Sequence, residues 1–108
     1  MKLVISTAPP GEAPGLARKL VEERLAACVN VIPGVRSVYR WEGEICDDGE
    51  SVMLMKTTEE VAPALCSRLG EIHSYDVPEV VVVDASGDGN PDYLSWVEKS
   101  VCRNGRKI

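Results

Sequence analysis

Three short apolar runs constrain the fold of this chain more than any other feature of its sequence. They are Leu3–Ile5, Val52–Met55 and Val80–Val83, and each has the length of a strand rather than of a buried helix. An antiparallel sheet with one solvated face alternates strictly between apolar and polar residues, and these runs do not. Both faces of the predicted sheet must therefore be covered.

Helical patterns separate the apolar runs in a regular order. The periodicity predicts a first helix from about Ala13 to Ala27 and a second with Pro63 in its first turn. Asn90 and Pro91 have the residue types of an N-cap and of the first helical position, so a third helix begins there. The order β-α-β-β-α-β plus a C-terminal helix predicts an α+β, ferredoxin-like fold in a single domain spanning residues 1–108.

The centre of the chain predicts a long hairpin. Its first arm runs from Cys28 to Trp41, with a bulge or bend at Pro33-Gly34, and its second arm runs from Glu50 to Thr57. Asp47-Asp48-Gly49 is the expected turn. A first arm of this length spans roughly 45 Å, which is longer than the width of a domain of this size. The overlong edge and the two apolar faces together predict an obligate homo-oligomer.

Charge and hydropathy exclude two classes of partner. The 108 residues carry a net charge of -5, whereas nucleic-acid binding leaves a basic footprint. The only basic cluster is Arg103, Arg106 and Lys107, which we expect to cap a helix or to lie in solvent. No apolar run approaches the roughly 20 residues of a membrane span, and the N-terminus lacks a secretory apolar region. The chain is expected to be cytoplasmic and to bind neither nucleic acid nor membranes.

The four cysteines are expected to be reduced thiols rather than disulfides or a structural zinc site. No Cys-x-x-Cys pair occurs in the sequence. We expect Cys28 and Cys66 in the core and Cys46 in a turn that meets solvent. Because there is no nucleophile motif and no phosphate-binding glycine loop, a non-enzymatic role is favoured.

The segment from His73 to Glu79 concentrates the candidate chemistry. It holds the only histidine, a tyrosine and two carboxylates where a helix ends and a buried strand begins, and ligand sites favour such loops. His73 and Glu79 are candidate ligands for a divalent metal, because Cu²⁺ accepts imidazole and carboxylate donors. The alternative is that Tyr75 and Pro78 only shape the turn, with His73 exposed.

A second set of residues suggests a small anionic effector. Lys56 ends a predicted strand, where its ammonium would meet an anion, with Tyr75 as a hydrogen-bonding wall and Glu79 as counter-charge. The alternative is an ion pair between Lys56 and Glu79 that closes the turn. We expect the remaining aromatic residues to form subunit contacts; these are Tyr39, Trp41, Tyr93 and Trp96.

Six collinear motifs resemble the CutA family of divalent-cation-tolerance proteins. They are Thr7-Ala8-Pro9, Glu23-Arg24-Leu25-Ala26-Ala27-Cys28-Val29-Asn30, Ser37-Val38-Tyr39-Arg40-Trp41-Glu42-Gly43, Lys56-Thr57-Thr58, His73-Ser74-Tyr75-Asp76-Val77-Pro78-Glu79 and Asp92-Tyr93-Leu94-Ser95-Trp96. The resemblance implies a cytoplasmic homotrimer similar to the PII signal proteins, which bind small effectors between subunits. It also implies tolerance of divalent metals, copper foremost.

Two interpretations of function follow from the resemblance and the residues together. The first is a trimeric divalent-cation-tolerance protein that binds metal near clefts between subunits. The second is a PII-like signalling module that binds a small anionic effector and a partner protein. Two departures from the family bear on the first interpretation. Ser74 replaces the proline common after the histidine, and Ser6 stands where some relatives carry a cysteine, which is a better ligand for soft metals.

Overall fold

The computed structural model describes residues 1–101. The predicted basic cluster at Arg103, Arg106 and Lys107, and the fourth cysteine, Cys102, lie outside the described residues. In chain order the elements are β1 (Lys2–Ala8), α1 (Ala13–Glu22), β2 (Cys28–Trp41), β3 (Glu44–Thr57), α2 (Ala62–Ile72), β4 (Val81–Asp84) and α3 (Pro91–Ser100). This order confirms the predicted α+β, ferredoxin-like fold.

The four strands form one antiparallel sheet in the order β2-β3-β1-β4. Strand β1 lies at the centre, so that Ile5 is opposite Leu54 on β3 and Val81 on β4. Both crossovers place a helix on the same face, as the handedness of such connections requires. A further backbone hydrogen bond extends the pairing of β1 with β4, since the Ala85 amide donates to the Met1 carbonyl at 3.1 Å.

The main core lies between one face of the sheet and helices α1 and α2. Alternate residues of the central strands point into it, and Val4, Met53 and Met55 are fully buried there. They pack with Leu20 of α1 and Leu65 of α2. A smaller cluster, in which Val97 and Val101 pack with Ala27 and Val61, attaches α3 to one end of the sheet.

The opposite face of the sheet carries no helix from α1 or α2 and is apolar. Leu3, Ile5 and Leu54 are only half-buried there, and Val81 and Val83 on β4 are exposed. The two-faced apolar pattern of the sequence thus appears in residues 1–101 as one face packed against α1 and α2 and a second face that these helices leave uncovered. Within residues 1–101, the longest helices are too short and too polar to cross a lipid bilayer.

The central hairpin has the predicted length but a different turn. Glu42 and Gly43 form the turn, with positive φ angles of 50° and 82°, as two-residue hairpin loops require. The predicted turn at Asp47-Asp48-Gly49 is wrong, because these residues lie inside β3. There Arg36 forms an ion pair with Asp47, and the Tyr39 hydroxyl donates to Asp48. Cross-strand partners therefore make two carboxylates acceptable within a strand.

Half of the hairpin extends beyond the sheet as a two-stranded ribbon. Strand β1 pairs only with residues 51–57 of β3, so Glu44–Glu50 pair with β2 alone. The predicted irregularity at Pro33-Gly34 is confirmed by a register shift between Ile32 and Val35 and by the positive φ of Gly34. The longest dimension of the molecule is 44 Å, in line with the predicted length of the arm.

The end of α1 differs from the sequence prediction, whereas the start of α3 agrees with it. Helix α1 ends at Glu22, five residues before the predicted end, because Arg24 adopts a left-handed φ of 59° and turns the chain toward β2. Arginine gives no sequence signal for that conformation. The start of α3 is as predicted, since the Asn90 side chain accepts hydrogen bonds from the amides of Asp92 and Tyr93.

Candidate functional site

His73 links the end of α2 to the central strand. It is 8% exposed, whereas the alternative interpretation of its segment as a plain turn expected an exposed ring. Its Nε2 lies 2.8 Å from the Thr7 carbonyl oxygen, and its Nδ1 accepts the Tyr75 amide at 3.0 Å. A carbonyl only accepts, so Nε2 carries the proton and the ring is neutral. Both ring nitrogens are thus engaged in holding the following segment against β1.

Tyr75 then connects this segment to the hairpin. Its hydroxyl donates to Glu50 Oε2 at 2.8 Å, and its ring packs at 4.7 Å from that of His73. Partial burial raises the pKa of Tyr75 to about 12, with a further contribution from the hydrogen bond to Glu50. The hydroxyl therefore stays protonated over the whole neutral range and can donate to Glu50 throughout it.

A cavity of about 680 Å³ opens between the hairpin ribbon and the segment 73–79. We call it the acidic pocket. Its ionisable and aromatic lining residues are Glu50, Asp76, Glu79, Tyr39, Trp41 and Tyr75. Hydroxyl groups of Thr7, Ser37 and Ser74 complete the polar part of the wall. Among residues 1–101 the lining contains three carboxylates and no lysine or arginine, so this part of the wall attracts cations.

Glu50 is the distinctive member of this lining. It is 6% exposed, so its carboxylate is almost removed from water. Tyr75 donates a hydrogen bond to it, but within residues 1–101 no lysine, arginine or histidine forms an ion pair with it. A buried carboxylate without a counter-charge is costly. A cation bound in the acidic pocket would remove this cost.

The structure separates Lys56 from the other predicted site residues. Lys56 lies on β3, six positions from Glu50, which corresponds to roughly 20 Å. Its ammonium donates to the Asn30 side chain and lies 3.9 Å from the Cys28 sulfur. In the described part of the chain it makes no ion pair with Glu79. Tyr75 and Glu79 line the acidic pocket together. His73 is not among the lining residues but contacts Tyr75 through its Nδ1 and its ring.

The grouping of possible metal ligands and the burial of the cysteines can also be compared with the sequence predictions. Among residues 1–101 no three histidine, cysteine, aspartate or glutamate side chains of one subunit are grouped closely enough to hold a metal ion. Cys28, Cys46 and Cys66 are free thiols and all three are partly buried. Cys46 lies within β3 rather than in the predicted exposed turn. Cys28 and Cys66, which were expected in the core, are only partly buried.

Sequence reasoning missed the hairpin wall of the pocket. Glu50 was read only as the start of a strand, and Tyr39 and Trp41 were predicted as subunit contacts. The alternation of side chains along a strand could have indicated this wall. Tyr39 and Trp41 are two positions apart in an extended run, so they lie on the same face. Their register with β3 could have added Glu50 to the same face, but the misplaced turn hid that register.

Comparison with known proteins places the chain in a family. The family described as CutA1 divalent ion tolerance protein matches residues 2–100. The chain belongs to the CutA1 family. The divalent-cation tolerance protein CutA of Thermus thermophilus is 45% identical over 100 residues, which cover 92% of this chain and 96% of that protein. The resemblance drawn from the six motifs is thereby confirmed.

Solved CutA structures share the fold. The PII-like protein CutA from Nostoc sp. PCC 7120, in its apo form, superposes with a TM-score of 0.90 at 35% identity and covers 94% of this chain and 97% of its own. The chloroplastic protein CutA of Arabidopsis thaliana is 41% identical, over 91% of this chain but only 54% of the plant protein. CutA1 relatives thus include proteins about twice as long as the matching region.

Proposed function

We propose that this CutA1 chain binds divalent cations through the carboxylates of the acidic pocket and confers cation tolerance in this way. The observation that carries the proposal is Glu50, a buried carboxylate that lacks a cationic partner in the described part of the chain. Asp76 and Glu79 line the same cavity from the opposite wall. The family's description as divalent ion tolerance proteins supports the same conclusion.

The donor set indicates which metals the pocket suits. Carboxylate oxygens favour hard divalent ions and also accept Cu²⁺, whereas soft Cu⁺ requires thiolate or thioether sulfur. Glu50, Asp76 and Glu79 would attract the ion into the pocket, and Glu79 keeps the role predicted from the sequence. Because no three such side chains of residues 1–101 are grouped closely enough to hold a metal ion within one subunit, a second subunit would have to complete the ligand set. His73 would have to give up one of its two hydrogen bonds to coordinate directly. We therefore assign His73 the role of positioning the segment that carries Asp76 and Glu79.

Assembly into a homotrimer is part of the proposal. The uncovered apolar face, with Val81 and Val83 exposed, requires a partner surface in water. No strand within residues 1–101 pairs with the outer edge of β2, and a neighbouring copy is the simplest partner for such an edge. In this assembly the acidic pocket lies at or near a cleft between subunits, and a second subunit supplies any missing ligand. We place this non-enzymatic trimer in the cytoplasm.

Calorimetric titration of the reduced, metal-free protein with Cu²⁺, Zn²⁺ and Mn²⁺ tests the cation site. We expect saturable binding that is weakened about tenfold or more in Glu50→Gln and Glu79→Gln. Glu98→Gln, on α3 outside the pocket, is the control for the loss of one negative charge and should bind as wild type does. Binding that is equally weak in all three variants, or that ignores all three, refutes the proposal. Light scattering on the same samples should give three times the subunit mass.

The second candidate is a PII-like module that binds a small anionic effector. The name of the Nostoc relative supports it, as does Lys56, a cation placed on the uncovered sheet face beside Asn30. Since Tyr75 and Glu79 are distant from Lys56 within one subunit, such a site would have to join residues of two subunits. Lys56→Ala should abolish anion binding and leave the cation titrations unchanged.

A further inference from the structure

Aromatic residues are concentrated in the acidic pocket. The chain has only five, two tryptophans and three tyrosines with no phenylalanine, and Tyr39, Trp41 and Tyr75 all line this one cavity. Two come from β2, where they share a face, and the third comes from the segment opposite. Both walls of the pocket are therefore partly aromatic, which core packing within one subunit does not explain, because these rings are exposed in the single chain.

The hydroxyl groups of the two tyrosines are already committed. Tyr75 donates to Glu50 Oε2, and Tyr39 donates to Asp48 on the neighbouring strand. These bonds use the donor of each hydroxyl and orient the rings, while each phenol oxygen can still accept a hydrogen bond from a cationic ligand. The face of an aromatic ring is electron-rich and attracts cations, most strongly for tryptophan.

A bare metal ion makes use of the carboxylates but not of the rings. An alkylammonium makes use of both, because its methylene groups pack against aromatic surface while its charged nitrogens pair with carboxylates. Three carboxylates on opposite walls, Glu50 on one side and Asp76 and Glu79 on the other, suit a ligand with more than one positive charge. The cavity of about 680 Å³ lies within the range usual for small-molecule sites.

We infer that the acidic pocket binds a linear aliphatic polyammonium between the rings of Tyr39, Trp41 and Tyr75, with Glu50 as the buried counter-charge. The inference rests on the proposed cation site only in that both ligands use the same carboxylates. It adds a class of organic ligand and assigns a role to the aromatic wall. Metal ions and polyammonium ions then compete for Glu50, and occupancy by one excludes the other.

Titration with spermidine tests the inference, using the metal-free full-length protein at fixed ionic strength. Trp41 and Trp96 give a matched pair, since they are 49% and 47% exposed and only Trp41 lines the pocket. Trp41→Leu should weaken spermidine binding about fivefold or more. Trp96→Leu should leave it unchanged. An uncharged alkanediol of similar length should not bind. Absence of spermidine binding to the wild type, or equal affinity of the two tryptophan variants, overturns the inference.

Two further measurements separate this inference from the cation proposal. Trp41→Leu should keep its affinity for Mn²⁺, because no ring coordinates the metal, whereas Glu50→Gln should bind both Mn²⁺ and spermidine more weakly. Thermal melts followed by circular dichroism establish that Glu50→Gln is folded. Spermidine binding without metal binding refutes the proposed function alone, and metal binding without spermidine binding refutes the inference alone. Spermidine that binds Glu50→Gln as tightly as wild type also overturns the inference.

Discussion

Replacing His73 with alanine distinguishes a structural link from a metal ligand. The change removes two hydrogen bonds, from Nε2 to the Thr7 carbonyl and from the Tyr75 amide to Nδ1, each of which contributes about 1 kcal/mol. The ring is 8% exposed, so its removal also leaves a cavity that costs a further 1 to 2 kcal/mol, roughly. We expect the free energy of unfolding to fall by about 3 to 4 kcal/mol.

Guanidinium-induced unfolding in the presence of a chelator measures this loss without any metal present. The subunit concentration must be held constant, because the stability of an assembled protein depends on it. Ser74→Ala is the control, since Ser74 is the exposed neighbour of His73 and its replacement should change stability by less than about 0.5 kcal/mol. If His73 serves only as a metal ligand, the metal-free variant will match the wild type, and our account of the imidazole is refuted.

Two further predictions address the hairpin and the tyrosines. Gly43→Ala should destabilise the protein by about 1 to 2 kcal/mol in the same unfolding assay, because Gly43 has a φ of 82°. Gly49→Ala should hardly change the free energy of unfolding, since Gly49 is in open space without a positive φ. If Gly49→Ala destabilised the protein more than Gly43→Ala, the hairpin turn would lie at Asp47-Asp48-Gly49 instead. Folding raises the pKa of Tyr75 from 10.0 to about 12, so it favours the neutral phenol. This contribution to stability is fully present below pH 10 and is lost as the pH rises from about 10 to 12. Alkaline unfolding curves of Tyr75→Phe should therefore fall less steeply over that window than those of the wild type, and parallel curves would contradict the assignment.

The order of elements was predictable because it depends on the spacing of apolar residues, whereas the hairpin turn depends on partners across the strands. Asp47-Asp48-Gly49 has strong turn chemistry, and Glu42-Gly43 is the weaker signal of the two. Arg36 pairs with Asp47 and Tyr39 with Asp48 across the strands, and these contacts keep the aspartates in β3 so that the turn forms at Glu42-Gly43. Such partners are known only once the register is known, and the register itself follows from the turn.

The site shows the same limit. His73, Tyr75 and Glu79 were grouped because they are close together in the sequence, and in the structure His73 contacts Tyr75 while Tyr75 and Glu79 line one cavity. Glu50 comes from a different element and reaches the pocket only through the pairing of β3 with β2. Lys56 was grouped with Tyr75 by chemistry alone, although six residues along β3 separate it from Glu50, to which Tyr75 is bonded.

The position of β1 between β3 and β4 has a consequence for the order of folding. The arms of the hairpin are joined by two residues and can pair as soon as they exist, whereas Ile5 meets Val81 only after most of the chain is available. The segment 73–79 immediately precedes β4, so it takes its place when that last strand docks. During synthesis the ribbon wall of the acidic pocket therefore forms well before the wall opposite. A partly synthesised chain carries the aromatic rings of β2 without a pocket, and the proposed cation site is complete only once the sheet has closed.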